Sequence, residues 1–137
     1  MADVIQKVDY YYVEVPDKPG EGLRILVGLK EAGVNLLACC GFPIGEGTAQ
    51  FDLVPEHEES FRRAAAELRL KLTGPKQAFL IQGGDRVGAC SDTFSKLTSK
   101  GINITASQAM AAGAGQWGMI LWVKPADYDK ASKALGL

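Results

Sequence analysis

The chain is poor in the features that usually announce chemistry. It has one histidine, His57, and three cysteines in 137 residues. His57 sits among acidic residues at the start of a predicted helix, and no motif sets a cysteine or serine beside it, so no catalytic role is expected for it. Cys39 and Cys40 are adjacent, and neighbouring residues of a strand point to opposite faces, so the two thiols are badly placed to bridge or to share a metal. There is no C-x-x-C spacing, which argues against a redox motif and against a metal-trafficking domain. The odd cysteine count fits reduced thiols and a cytoplasmic setting. Neither sign of charge dominates: 15 basic and 16 acidic residues give a net charge of −1. The basic field of a nucleic-acid binder is absent. No apolar run approaches the about 20 residues that a membrane span needs, and MADVIQKVDYYYVEV lacks the regions of an export signal. The glycine-rich stretch 109–118 lacks the Gly-Lys-Ser/Thr ending of a phosphate loop. No cofactor, metal, nucleic acid or membrane is therefore expected.

What the chain does have is a pattern written twice. Residues 15–35 read VPDKPGEGLRILVGLKEAGVN, and 68 residues on (85 − 17 = 68) the chain reads DRVGACSDTFSKLTSKGIN. Asp17, Gly20, Leu29, Gly33 and Asn35 fall without a gap on Asp85, Gly88, Leu97, Gly101 and Asn103, and Leu53 falls on Leu121. Leu68 falls on Leu135 at 67 (135 − 68 = 67), so one residue is gained or lost near the second helix. A repeat this long is not a solenoid unit, because each copy carries several elements.

Val8–Val15, aromatic and β-branched, predicts a strand, and PDKPG a turn. Gly22, Ile25, Leu26, Leu29 and Gly33 then recur at helical spacing, with Gly33 placed for a left-handed C-cap. Val34–Phe42 and Thr48–Val54 read as strands around PIGEG. The stretch PEHEESFRRAAAEL predicts a helix whose acidic first turn suits the macrodipole and whose apolar stripe is Phe61, Ala64, Ala65 and Leu68. A short fourth strand is expected at Arg69–Thr73. The second copy repeats this with strands at Gln77–Gln82, Ile102–Met110 and Gln116–Lys124, and helices at Gly88–Lys100 and Pro125–Leu135. Cys90, Phe94, Leu97 and Gly101 form the stripe of the first of these helices.

The order β-α-β-β-α-β is the ferredoxin-like arrangement. The predicted fold class is α+β, a ferredoxin-like βαββαβ unit repeated in tandem, with antiparallel sheets and helices on one face. The expected domains are 1–73 and 74–137, with TGPK at the boundary. The second copy lacks its last strand, which is missing or comes from elsewhere. Tyr11, Val13 and Val15, and in the second copy Phe79 and Ile81, are assigned to the helix-covered face. The other face carries Tyr10, Tyr12, Ala78 and Leu80. It is too apolar for water, so either a second chain or the other copy must cover part of it. A homodimer is expected.

A strand, D-x-P-G at the start of a helix, an apolar stripe, and G-[VI]-N leading into the next strand resemble the ACT domain. Asp17-Lys18-Pro19-Gly20 and Gly33-Val34-Asn35 match closely. Asp85-Arg86-Val87-Gly88 has Val where Pro is usual, while Gly101-Ile102-Asn103 keeps the pattern. The resemblance covers nearly the whole chain as a tandem pair. It implies a small-molecule sensor, usually of an amino acid, with ligand at the seam between two paired domains. The family's ligand-lining positions correspond to Asp17, Lys18, Pro19 and Gly20, and to Asp85, Arg86, Val87 and Gly88, with Asn35 and Asn103 nearby. ACT domains usually accompany a catalytic domain. None is present here, so the chain reads as a free-standing regulatory module, not an enzyme, with a regulated enzyme partner that the sequence does not name.

The residues support the same chemistry by themselves. A helix N-terminus favours a carboxylate, glycine allows close approach to the backbone, Asp17 or Asp85 can hold an ammonium group, and Arg86 can clamp a carboxylate through two hydrogen bonds. Each also has a plainer reading. The aspartates shape turns by bonding to their own backbone, the asparagines cap helix ends, and Arg86 is a solvated charge. Two other functions stay open: a ligand-free dimerisation module, or a small enzyme on a ferredoxin-like scaffold, since fold does not fix function.

Overall fold

A computed structural model describes residues 2–137. The element order is β1 (Val4–Pro16), α1 (Glu21–Glu31), β2 (Leu36–Gly45), β3 (Thr48–Pro55), α2 (Glu58–Glu67), β4 (Thr73–Gly84), α3 (Ala89–Thr98), β5 (Ile104–Gly113), β6 (Gln116–Val123), a 3-10 turn over Pro125–Asp127, and α4 (Tyr128–Ala134). The expected helices and hairpins are all present. The region read as a boundary differs. Residues 69–72 form no strand, because α2 ends there in a Schellman closure: Leu70 N–H reaches Ala65 O at 2.9 Å and Arg69, at φ 58°, donates to Ala66 O at 3.1 Å. The TGPK stretch lies inside β4, with a cis Gly74–Pro75 peptide.

The chain forms two compact units, Asp9–Lys76 and residues up to Val8 together with Gln77–Leu137. These replace the division at 73/74, since β1 and β4 are each shared out between the units. In the Asp9–Lys76 unit the strand order is β2-β3-β1-β4. Leu53 of β3 lies opposite both Tyr11 of β1 and Cys39 of β2. In the other unit the order is β5-β6-β4 followed by Val4–Val8 of β1. There Leu121 of β6 lies opposite both Phe79 of β4 and Ser107 of β5. Both orders are ferredoxin-like. The strand that the second copy was expected to lack is therefore present, but it precedes that copy in the chain. Without it the edge of β4 would offer unpaired N–H and C=O groups, the usual template for unwanted pairing.

Helices cover one face in each unit. Tyr11, Val13, Val15, Ile25, Leu29, Leu53 and Phe61 form one core. Phe79, Ile81, Leu97, Met119, Leu121, Tyr128 and Ala131 form the other. The assigned inward residues of β1 and β4 are all buried. Two stripes shift. Leu26 is exposed, as are Leu23 and Val27 on the same side of α1, while α3 buries Ala89, Thr93 and Leu97 and leaves Cys90 and Phe94 half-buried at its flank. On the opposite sheet face Val54, Ala78, Leu80 and Ile120 are buried within the single chain.

The repeat reaches into side-chain detail. Tyr11 and Phe61, with ring centroids 5.2 Å apart, correspond to Phe79 and Tyr128, 4.5 Å apart, at offsets of 68 and 67 (79 − 11 and 128 − 61). The hydroxyl has changed partners within the pair. Tyr11 donates to Glu58 and accepts from Arg62 Nε at 3.0 Å, whereas Tyr128 donates to Ala78 O at 2.9 Å.

Candidate ligand-binding site

The two turns before α1 and α3 have one backbone design. Asp17 N–H donates to Gly47 O and Asp85 N–H to Gly115 O, each at 2.8 Å, and the acceptors are again 68 apart (115 − 47 = 68). Gly20 (φ 96°) and Gly88 (φ 74°) occupy the N-cap positions, and no side chain caps either helix. Space does not demand glycine at position 20, where a Cβ would meet nothing within 4 Å. The left-handed backbone demands it. The first-turn N–H groups are thus left without a side-chain acceptor at the positive end of the helix dipole. Asp17, Lys18, Pro19, Asp85, Arg86 and Val87 around them are exposed.

Asn35 and Asn103, expected near these turns, are not there. Asn35 follows the C-terminus of the 11-residue α1, about 16 Å long, and its carbonyl accepts Glu56 N–H at 2.9 Å, just beyond β3. Asp17 is tied to the other end of β3, through Gly47. Asn103 precedes Ile104, which lies opposite Val123 at the end of β6 remote from Gly115. Both asparagines therefore stand at the opposite end of their sheet from the helix start.

The turns differ most in their charged surroundings. Among the described residues Lys18 makes no ion pair, and nearby Arg24 approaches Glu21 only at 3.8 Å. Arg86 is engaged through both terminal nitrogens. Its Nη1 donates to Asp3 Oδ1 at 3.0 Å and Gly84 O at 3.1 Å, and its Nη2 to Asp3 Oδ2 at 2.9 Å and Asp92 Oδ2 at 2.8 Å. Trp117 Nε1 donates to Asp3 Oδ1 at 3.2 Å, and the guanidinium carbon lies 6.0 Å from the Trp117 ring centre. The Arg86 hydrogen bonds hold the Asp3 carboxyl below its usual range, against a smaller opposing effect of burial. A cavity of about 520 Å³ adjoins this cluster, lined by Asp3, Ile5, Arg86, Asp92, Thr93 and Lys96 among others.

Sequence reasoning found Arg86 but missed Asp3, Asp92 and Trp117 as its partners. Asp3 is 83 residues away (86 − 3 = 83) and no local pattern links the two. One signal was available: Gly83, where the first copy has Val15, since a Cβ on Gly83 would overlap the Asp3 carboxylate.

The remaining reactive groups behave as their strand positions imply. Cys39 is exposed and Cys40 buried, and burial followed by the charge of Asp52 pushes the Cys40 thiol up to about 11. Asp52 is buried opposite Tyr12 and Cys40, accepts from Gln50 Nε2 at 2.9 Å, and has its carboxyl raised by burial. Among the described residues no group of three or more His, Cys, Asp or Glu is placed to hold a metal ion, and no helix is long and apolar enough to cross a membrane.

No protein-family model matches the chain, and no curated protein matches it in sequence. Solved structures do match its fold. A protein of Bacteroides thetaiotaomicron aligns with a TM-score of 0.81 at 14% identity, over 96% of this chain and 88% of that one. The ligand-free regulatory subunit of aspartate kinase from Thermus thermophilus aligns with a TM-score of 0.62 at 18% identity, over 98% and 94%. A putative C-terminal regulatory domain of aspartate kinase from Porphyromonas gingivalis gives 0.56 at 14%, over 98% and 95%. The shared fold is two βαββαβ units in tandem, the arrangement expected of an ACT pair.

Proposed function

We propose that this chain is a regulatory protein that binds an amino acid at the helix-start turns of its ACT units, at the seam where such domains pair, and conveys the binding to an enzyme partner. The observation that carries the reading is the duplicated turn. Two helices begin at left-handed glycines with no capping side chain, each beside an aspartate whose own N–H is tied to a neighbouring hairpin. Such a turn offers N–H groups to a carboxylate and an acid to an ammonium group, which are the two ends of an amino acid. The fold is shared with an aspartate kinase regulatory subunit solved as a separate chain, which supports a free-standing regulator with a separate catalytic partner. The candidate residues are Asp17, Lys18, Pro19 and Gly20 in one unit, and Asp85, Arg86, Val87 and Gly88 in the other. Regulation follows from coupling: ligand stabilises one packing or assembly state by the difference in its affinity for the two states. Assembly as a homodimer belongs to the same proposal.

The test is a thermal-shift screen of the twenty amino acids at several concentrations. A ligand that binds only the folded state adds about 2.7 kcal/mol of stability at 100-fold over its Kd. We expect one saturable hit, lost or weakened in Asp17→Ala or in Gly88→Val, whose side chain is strained at φ 74°. A flat screen at millimolar ligand on folded protein rejects sensing and favours an interaction module. The exposed apolar line Leu23, Leu26 and Val27 on α1 would suit that role.

A further inference from the structure

Arg86 already holds a carboxylate in the geometry it would offer to a ligand. Both oxygens of Asp3 lie on its two terminal nitrogens, at 3.0 and 2.9 Å, which is the two-pronged arrangement that makes arginine selective for carboxylates. Around this pair the chain has built a cradle. Gly83 leaves room for the Asp3 carboxylate, Trp117 donates to it, and Gly84 O and Asp92 hold the guanidinium from its other sides. None of this exists in the first copy, where the counterparts of Gly83, Arg86, Asp92 and Trp117 are Val15, Lys18, Arg24 and Ala49, each 68 positions earlier.

Three features make Asp3 a replaceable occupant. It precedes β1, which begins at Val4, so it can swing away without breaking that strand. A cavity of about 520 Å³ lies directly beside it, with room for the body of a small molecule. With Asp3 withdrawn, the cleft keeps Arg86 and Lys96 against Asp92, one net positive charge with an acidic group beside it, which suits a zwitterion joined by its carboxylate.

We infer that the Arg86 cleft is a carboxylate-binding site in which Asp3 is a built-in competitor, displaced by the carboxylate of a small ligand such as an α-amino acid. This rests on the ligand-binding reading above and adds its regulation in one of the two units. The competition has a calculable form. A tethered group acts at an effective concentration of about millimolar or more, and the apparent Kd rises in inverse proportion to the fraction of cleft left open. The Asp17 turn has no such competitor and responds to ligand unattenuated.

The probe is sodium propionate, a bare carboxylate, titrated into the full chain and followed by the NMR signal of the Trp117 indole N–H, the group bonded to Asp3. In the wild-type protein that signal shifts as propionate saturates. Asp3→Asn, which keeps an acceptor for Trp117 and for one Arg86 nitrogen, tightens propionate binding by about tenfold or more, and Arg86→Gln abolishes it. Equal Kd values in wild type and Asp3→Asn overturn the inference, as does no binding to Asp3→Asn at 100 mM (about the upper end of practical titration). If Asp3→Asn does not fold, the wild-type titration decides alone, because saturation without movement of the Trp117 signal also overturns it. The two readings fail separately. An amino-acid hit that depends only on the Asp17 turn, with propionate indifferent to Asp3, removes the competitor and keeps the sensor. Propionate binding that depends on Asp3, beside a flat amino-acid screen, removes the sensor and keeps a carboxylate site.

Discussion

The turn at Asp17–Gly20 and the turn at Asp85–Gly88 share a backbone and almost nothing else. Each begins with an aspartate N–H bonded at 2.8 Å to a glycine in a hairpin, and each ends in a left-handed glycine that starts a helix. In the first, Lys18 stands without an ion pair among the described residues. In the second, Arg86 is bound by two carboxylates and a carbonyl. Duplication has kept the scaffold, which depends on a few left-handed positions, and released the side chains, which each unit has used differently. The aromatic pairs say the same inside the cores. The ring contact is kept, tilted by 36° in one unit and stacked within 10° in the other, while the hydroxyl sits on Tyr11 in one unit and on Tyr128 in the other.

That comparison can be strained at several levels. The harshest is to remove one ring at a time. Phe61 and Tyr128 are buried counterparts, and truncating either to alanine is expected to cost about 3–5 kcal/mol, measured by urea unfolding followed by circular dichroism. A cost confined to one of the two would show that the repeated cores are not equivalent. Less severe is deletion of the hydroxyls. Tyr128→Phe removes the 2.9 Å hydrogen bond to the Ala78 carbonyl and should cost about 1 kcal/mol. Tyr11→Phe should cost less, because Glu58 and Arg62 remain bonded to each other at 3.0 Å and both side chains are exposed to solvent. The Tyr11 hydrogen bond, and after it Arg62, holds the Glu58 carboxyl below its usual range. The stability this adds is present above the unfolded glutamate value, about 4.3, and is lost as pH falls through the lower folded value. The gap between Tyr11→Phe and wild type should therefore narrow in acid.

The mildest change tests a position where the copies differ in kind. Asp52 corresponds to Ile120, 68 positions on, and both are buried. Burial raises the Asp52 carboxyl, opposed by the Gln50 hydrogen bond and by Lys76. Folding then favours the protonated acid, so this group costs no stability below the unfolded value of about 3.9, and the penalty grows as pH rises through the folded value. Asp52→Asn keeps an acceptor for Gln50 and removes the charge. It is expected to raise Tm at pH 7 by a few degrees, about 1 kcal/mol, with no gain near pH 3. A lower Tm at pH 7 would mean that the carboxylate has a partner worth more than its burial costs.

Much of the fold was legible because repetition and periodicity are local. An apolar residue every second position marks a strand face, and Gly33 and Gly101 at φ 74° and 71° mark helix ends. What misled was also local. Leu26 has the right spacing for a stripe, but spacing cannot say how wide the covered arc of a helix is. Arg69 ends α2 in the left-handed conformation that Gly136 adopts 67 positions later (136 − 69 = 67), and an arginine gives no hint of it. Asn35 and Asn103 looked close to the turns only because they fall within the same short motif. A helix of 11 residues carries its two ends about 16 Å apart.

The sequence by itself determined that there are two copies of one α+β unit, which residues line each helix-covered face, and where the helix-start glycines fall. All of these follow from backbone preference and from the period of apolar residues. Tertiary structure alone decided that Val4–Val8 completes the unit formed by Gln77–Leu137, and that Asp3 meets Arg86 across 83 positions of chain. The physical reason is that a strand edge or a guanidinium accepts any partner of the right geometry. Which partner arrives is set by where folding brings the chain, and residue order does not record that.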